Sequence, residues 1–247
     1  MRFCADLHIH SVLSPCGNLD MAPRDIVRTA VEKGVNLIAV TDHNTAVHSP
    51  VMRDLVKEYG IHALYGMELQ TISETHALCL FDSVEQAMEF SDYIYDLLPD
   101  IPANPDIFGD QVVVDADNMI VRMEDKLLLQ SAEIEIEEAI EVVHEMGGIL
   151  IAAHINRDTF SIISQLGFIR EGLALDGIEF SRHITVAQGC ERYPEYCVRY
   201  PAVHNSDAHF LEDIGKAVTV FEMEHVSLEE FQMALRAQNG RTVSYDA

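Results

Sequence analysis

His8 and His10 lie one residue apart in Asp6-Leu7-His8-Ile9-His10, at the end of an apolar run that begins at Arg2. In an extended strand residues i and i+2 project to one face, so both imidazoles are expected to point together from a strand end. Further along come Thr41-Asp42-His43, Gly66-Met67-Glu68, Glu74-Thr75-His76, Ala153-His154 and Ser206-Asp207-Ala208-His209, nearly all at or just beyond short apolar runs. His8, His10, His43, His76, His154 and His209, with Glu68 and Asp207, make eight donors. That is too many for one tetrahedral zinc and suits two or three divalent ions sharing bridging carboxylates. Imidazole favours zinc or iron, and carboxylate also admits manganese. The other histidines (His48, His62, His144, His183, His204, His225) default to hydrogen-bonded core or surface roles, although His48 and His183 also follow strand ends.

Alternating strands and helices must position these donors. Arg2–His8 reads as a strand, and Pro23–Lys33 as a helix with Pro23 in its first turn and Gly34 at its end. Asn36–Thr41 is continuously apolar, as in a buried parallel strand. Ser49 and Pro50 begin a helix ending near Gly60. Ile61–Leu69, His76–Phe81, Gly148–Ala153, Gly177–Phe180, Ala202–Asn205 and Ala217–Phe221 read as further strands. Ser83-x-x-Gln86 and Ser227-x-x-Glu230 fit capping boxes. The pattern predicts an α/β fold, a parallel sheet or barrel with outer helices. Loops after parallel barrel strands converge on one face, which would gather the donors. Residues 99–130 break the rhythm: Pro99–Gly109 reads as loop and Gln111–Met123 as a hairpin turning at Asp115–Asn118. This stretch is short for a core of its own and reads as an insertion over the site within one domain spanning 1–247.

The chain has 247 residues, of which 48% are hydrophobic, and a formal net charge of −25. Such charge argues against long nucleic acid as a partner, while bound cations would still admit a small phosphorylated substrate. There is no 18-residue uncharged apolar stretch for a membrane span and no signal-peptide pattern, so a cytoplasmic location is expected. Five scattered cysteines without Cys-x-x-Cys make a disulfide framework unexpected.

In order, the blocks D-L-H-I-H, T-D-H-N, G-M-E, E-T-H, A-H and S-D-A-H across residues 6–209 resemble the PHP (polymerase and histidinol phosphatase) family. The resemblance implies a distorted (β/α)7 barrel, a di- or trinuclear metal centre and phosphoesterase activity. Matched by motif, the ligands would be His8, His10, His43, Glu68, His76, His154, Asp207 and His209, with Glu68 and Asp207 touching more than one ion. One position departs: Cys16 stands where histidinol-phosphatase-like members have histidine. A thiolate can ligate zinc or iron, so Cys16 joins the expected ligands, with Asp20 a more distant substitute.

Asp6 and Asp42 flank ligand histidines and are expected to fix imidazole tautomers or to serve turns. Arg157, Arg182 and His183 follow strand ends and are candidates for holding a substrate phosphate. The expected chemistry is in-line attack on phosphorus by a metal-bridging hydroxide. A barrel amidohydrolase or deaminase is the competing enzyme class; its carbamylated lysine would fall to Lys126, which lacks a strand-end setting. A non-catalytic metal-binding PHP module is the other alternative. The sequence leaves oligomeric state open.

Overall fold

The computed structural model describes residues 1–245. Its strands are β1 (Arg2–Ile9), β2 (Leu37–Val40), β3 (His62–Ala63), β4 (Tyr65–Gln70), β5 (His76–Phe81), β6 (Val112–Val114), β7 (Ile120–Met123), β8 (Ile149–Ala152), β9 (Gly177–Ser181), β10 (Ala202–Asn205), β11 (Thr219–Glu222) and β12 (Thr242–Tyr245). Its α-helices are α1 (Pro23–Glu32), α2 (Ser49–Tyr59), α3 (Val84–Leu97), α4 (Pro105–Phe108), α5 (Ile136–Glu145), α6 (Ile162–Leu166), α7 (Val186–Arg192), α8 (Pro194–Arg199) and α9 (Leu228–Leu235).

Two five-stranded sheets, ordered β12-β11-β1-β2-β3 and β10-β9-β8-β5-β4, face each other. Single bridges join them, Ile9 to Ala208 and His43 to Glu68. The result is a seven-stranded ring, β1-β2-β4-β5-β8-β9-β10, whose two seams are bridged at the end carrying the donors. Six of these strands run one way; β5 pairs antiparallel with both β4 and β8. This is the α/β fold expected, with the strand ring distorted by the reversal of β5. Reversal of β5 puts its first residue, His76, at the same end as the last residues of its neighbours.

All four residues of β2 are buried, as a two-sided parallel strand requires. The stretch expected as one strand over 61–69 is two, because β3 pairs with β2 whereas β4 pairs with β5. Gly60 ends α2 in the left-handed region at φ 72°, which glycine adopts without a Cβ clash. The capping boxes at Ser83 and Ser227 are half formed. Each serine accepts from the backbone N–H three residues on, but Gln86 donates to Met146 and Glu230 turns to Arg241. Residues 99–130 form α4 and the β6–β7 hairpin.

One expectation fails outright: Cys190 and Cys197 are joined as a disulfide. The break between α7 and α8 at Tyr193-Pro194 folds the chain back and brings their Cα atoms to 5.6 Å, a proximity that residue spacing alone does not reveal. Among the described residues no helix is long and apolar enough to cross a membrane.

Candidate metal centre

At the end of β1, His8 and His10 are fully buried with ring centres 5.2 Å apart, while the out-of-phase Leu7 and Ile9 enter the core. Glu68 stands at the middle of the cluster. Its Oε1 lies 3.3 Å from His8 Nε2, 2.8 Å from His76 Nδ1 and 3.0 Å from His154 Nε2. Its Oε2 lies 3.3 Å from His10 Nε2 and 3.1 Å from His43 Nδ1. Asp207 Oδ1 faces His8, His10 and His209 at 3.5, 3.4 and 3.6 Å, and its Oδ2 accepts from Arg157 at 2.6 Å. The strand ends therefore bring together all eight imidazole and carboxylate donors expected from the sequence. His154 (φ 27°), Phe160 (φ 57°) and Asp207 (φ 49°) hold left-handed backbone at the rim, as strained positions at functional sites do.

Three sets of donor atoms lie close enough to share an ion: His8, His10 and Asp207; His43, Glu68 and His76; and His10, Cys16, His43 and His209, each within 4.8 Å. His8 Nε2, His10 Nε2 and His43 Nδ1 are buried and lack a hydrogen-bond partner. Buried polar atoms are rarely left so, and nitrogen lone pairs facing carboxylates fit a divalent cation. Burial alone would raise Glu68, yet His76, His8 and His43 around it hold its carboxyl well below the usual range. Asp207 behaves likewise, burial being outweighed by His8 and His10. Conversely, burial disfavours charge on His10, but Asp207 and Glu68 push it up to about 9. Protons and cations thus compete for the same nitrogens, so ion binding would release protons. Cys16 is exposed, but the protein around it and the carboxylates of Glu68, Asp42 and Asp207 push its thiol upward.

Glu179, on β9, escaped sequence reasoning. It is fully buried, places both carboxylate oxygens 3.1 Å from His8 Nδ1, and accepts from His154 N and from Asn205 Nδ2, each at 2.8 Å. This contact leaves His8 Nε2 facing the centre. The available signal was a lone acid inside the apolar strand Gly177–Ser181. Asp42 acts on an imidazole indirectly: it accepts from Ser14 Oγ at 2.7 Å, which lies 3.0 Å from His10 Nδ1. Of its two expected roles Asp6 takes the turn. It touches no imidazole by hydrogen bond and instead accepts from Ser206 N and Gly215 N, pinning the β10 turn. Asp20 is exposed and joins none of the three donor sets.

A cleft of about 660 Å³ opens over the donors, lined also by Arg157, Phe160, Leu129, Gln130 and Phe108. Phe108 belongs to α4, so the insertion borders the site. Phe160 stacks on His76 with ring centres 4.8 Å apart. Arg182 is engaged with the Ser206 carbonyl at 3.0 Å and with Asp213 at 3.1 Å, while His183 lies exposed beside a side pocket shared with Arg157. Lys126 donates to the Tyr95 and Leu98 carbonyls, away from the donors.

A family model described as "PHP domain" matches residues 6–193, and one described as "PHP-associated" matches 198–239. MJ1587 of Methanocaldococcus jannaschii, an uncharacterized protein, is 29% identical over 183 residues, covering 71% of this chain and 79% of its own. The PolC-type DNA polymerase III of Caldanaerobacter subterraneus is 26% identical over 210 residues, 72% of this chain but 14% of the polymerase. The lesion-specific endonuclease Q of Pyrococcus furiosus shares the fold at TM-score 0.70 and 19% identity, covering 98% of this chain and 58% of the endonuclease. A further endonuclease Q structure holds a 27-mer duplex with an abasic lesion at its active site. The expectation that net charge argues against long nucleic acid is therefore withdrawn, since endonuclease Q, which shares this fold, holds duplex DNA at its active site. Net charge describes the distant field, whereas cations and Arg157 would set the field at the cleft.

Proposed function

The chain belongs to the PHP domain family, whose enzymes are metal-dependent hydrolases of phosphoester bonds, and on that premise we propose that it cleaves the phosphoester of a nucleotide, either free or within a nucleic-acid strand. The observation that carries this reading is the convergence of six histidines around Glu68 and Asp207, with three buried imidazole nitrogens lacking a hydrogen-bond partner. Two or three ions, zinc, iron or manganese, would be held by His8, His10, His43, Glu68, His76, His154, Asp207 and His209. Glu68 and Asp207, each facing several imidazoles, suit bridging positions. Such ions would supply Lewis acidity and ionise water near neutral pH.

The chain's own groups do the rest. Arg157, 41% exposed by side chain and lining both the cleft and the side pocket, would hold a phosphate. Arg182 holds the Asp207 turn instead. The exposed rings of Phe108 and Phe160 offer apolar faces for a nucleobase. Ser11 and Ser14 are buried and hydrogen-bonded to Asp42, so neither is placed as a nucleophile. Lys126, turned to backbone carbonyls, does not support the carbamylated-lysine chemistry of an amidohydrolase.

The test supplies a mononucleotide, a 5′-phosphorylated oligonucleotide and a duplex with an abasic site to the metal-loaded chain. Cleavage of at least one is expected, abolished by chelator, restored by added metal and lost in His8→Ala. Failure of the metal-loaded chain to release any product would defeat the reading.

A further inference from the structure

His48 stands outside the donor set, yet its two ring nitrogens meet two different parts of the molecule. Its Nε2 accepts from the backbone N–H of Val114 at 3.1 Å, on β6 of the insertion, and its Nδ1 lies 2.9 Å from Ser11 Oγ. A ring nitrogen that accepts carries no proton, so the neutral imidazole holds its proton on Nδ1 and donates it to Ser11. Ser11 Oγ donates in turn to Asp42 Oδ2 at 2.6 Å. From the other side, Ser14 Oγ donates to Asp42 Oδ1 at 2.7 Å and lies 3.0 Å from His10 Nδ1. The Ser14 proton is committed to Asp42, so that contact runs from His10 Nδ1–H to Ser14. His10 Nε2 is then the nitrogen turned to Glu68 and Asp207. The chain Val114–His48–Ser11–Asp42–Ser14–His10 is buried throughout, and its hydrogens run toward Asp42 from both ends.

The insertion end of this chain reaches the cleft. Gln111, buried just before β6, accepts through Oε1 from Leu128 N and donates from Nε2 to the Lys126 carbonyl, each at 2.8 Å. Leu129 and Gln130, which follow, line the cleft, as does Phe108 of α4. Resting on the metal centre proposed above, we propose that His48 is a positioning residue that ties the insertion to His10, so that ion loading at His10 and the placement of the substrate-facing wall depend on one another. With Nε2 on an ion the His10 ring is held, and through Ser14, Asp42 and Ser11 so are His48 and the amide of Val114. The dependence is reciprocal: a ligand that holds the insertion in place also tightens ion binding. The turn of the hairpin has its own anchors on α1, which avoid the donors. Arg24 Nε donates to the Ala116 carbonyl and Asn118 Nδ2 to Asp25, each at 2.7 Å.

Hydrogen–deuterium exchange on the intact chain reads this link. The chain is stripped with chelator and reloaded with zinc alone. Exchange is then compared for the peptide carrying β6 and for α9, which holds no donor. Zinc is expected to slow the β6 peptide by roughly fivefold or more beyond any slowing in α9. His48→Gln sets an amide oxygen near the Nε2 position, where it still accepts from Val114, but offers Ser11 no donor near Nδ1. The extra slowing should vanish in that variant. Asn118→Ala cuts an anchor to α1 and should keep it. A merely structural His48 would lower the Tm of His48→Gln and leave the zinc-dependent slowing in place, and that result would overturn the link. The stripped and loaded parent are compared without any variant, so a misfolded substitution cannot mask the answer. Stoichiometric zinc with equal exchange of the β6 peptide in both parent forms would overturn the link and leave the centre standing. Absence of any bound zinc would overturn the centre itself.

Discussion

At the scale of single residues, the cluster is organised by carboxylates that differ in position and therefore in task. Glu68 and Asp207 face several imidazoles at once, whereas Glu179 faces one imidazole ring and lies behind it. Glu179→Gln keeps the shape of that contact but replaces one of the two oxygens 3.1 Å from His8 Nδ1 with an amide nitrogen. The expected outcome is about 10–100-fold weaker metal affinity with the fold intact, measured by metal titration and circular dichroism. An unchanged affinity would show that His8 is oriented without it. The eight imidazole and carboxylate donors were legible in the sequence because strand-end histidines have a recognisable setting. Glu179 was not, because an acid inside an apolar strand declares burial without naming its partner. For Asp6 the sequence left two roles open for a related reason: adjacency to His8 along the chain says nothing about which backbone amides return to meet it.

Elements deliver the residues, and glycines set how closely they approach. Gly189 on α7 lies against Phe180 of β9, the strand that carries Glu179, and a Cβ there would stand 2.6 Å from that ring. Phe180 is fully buried, so Gly189→Ala must displace it. A loss of about 1–3 kcal/mol is expected by denaturant unfolding; an unchanged midpoint would mean that α7 shifts freely. At the C-terminal side, Glu230 of α9 accepts from Arg241 at 2.8 and 3.0 Å and from the Glu224 backbone at 2.8 Å. These contacts lower its carboxyl from 4.5 to about 2. A depressed acid stabilises the fold above its unfolded value and loses that contribution as pH falls. The Tm difference between the parent and Glu230→Gln should therefore be full above pH 4.5 and shrink as pH drops toward 2. A difference that stays constant across that window would refute the pairing. Strand order along the chain was legible from apolar runs. The split of β3 from β4, the short helices α6 to α8 and the disulfide between Cys190 and Cys197 depend on tertiary placement that local patterns do not encode.

Across the whole molecule, a backbone bridge joins the ring at each of its two seams beside the donors, Ile9 to Ala208 and His43 to Glu68. Ions bound there would cross-link those seams, so their binding energy would also be folding energy. This is also the scale at which sequence reading went astray. A net charge of −25 describes the distant field and not the local field at a cation-bearing cleft. The most direct measurement is anomalous X-ray diffraction at the absorption edges of the metals found in the purified chain. The account predicts ions between His8, His10 and Asp207 and between His43, Glu68 and His76, each with the carboxylate in contact. Stoichiometric metal located elsewhere, with these imidazoles hydrogen-bonded only to one another, would contradict it.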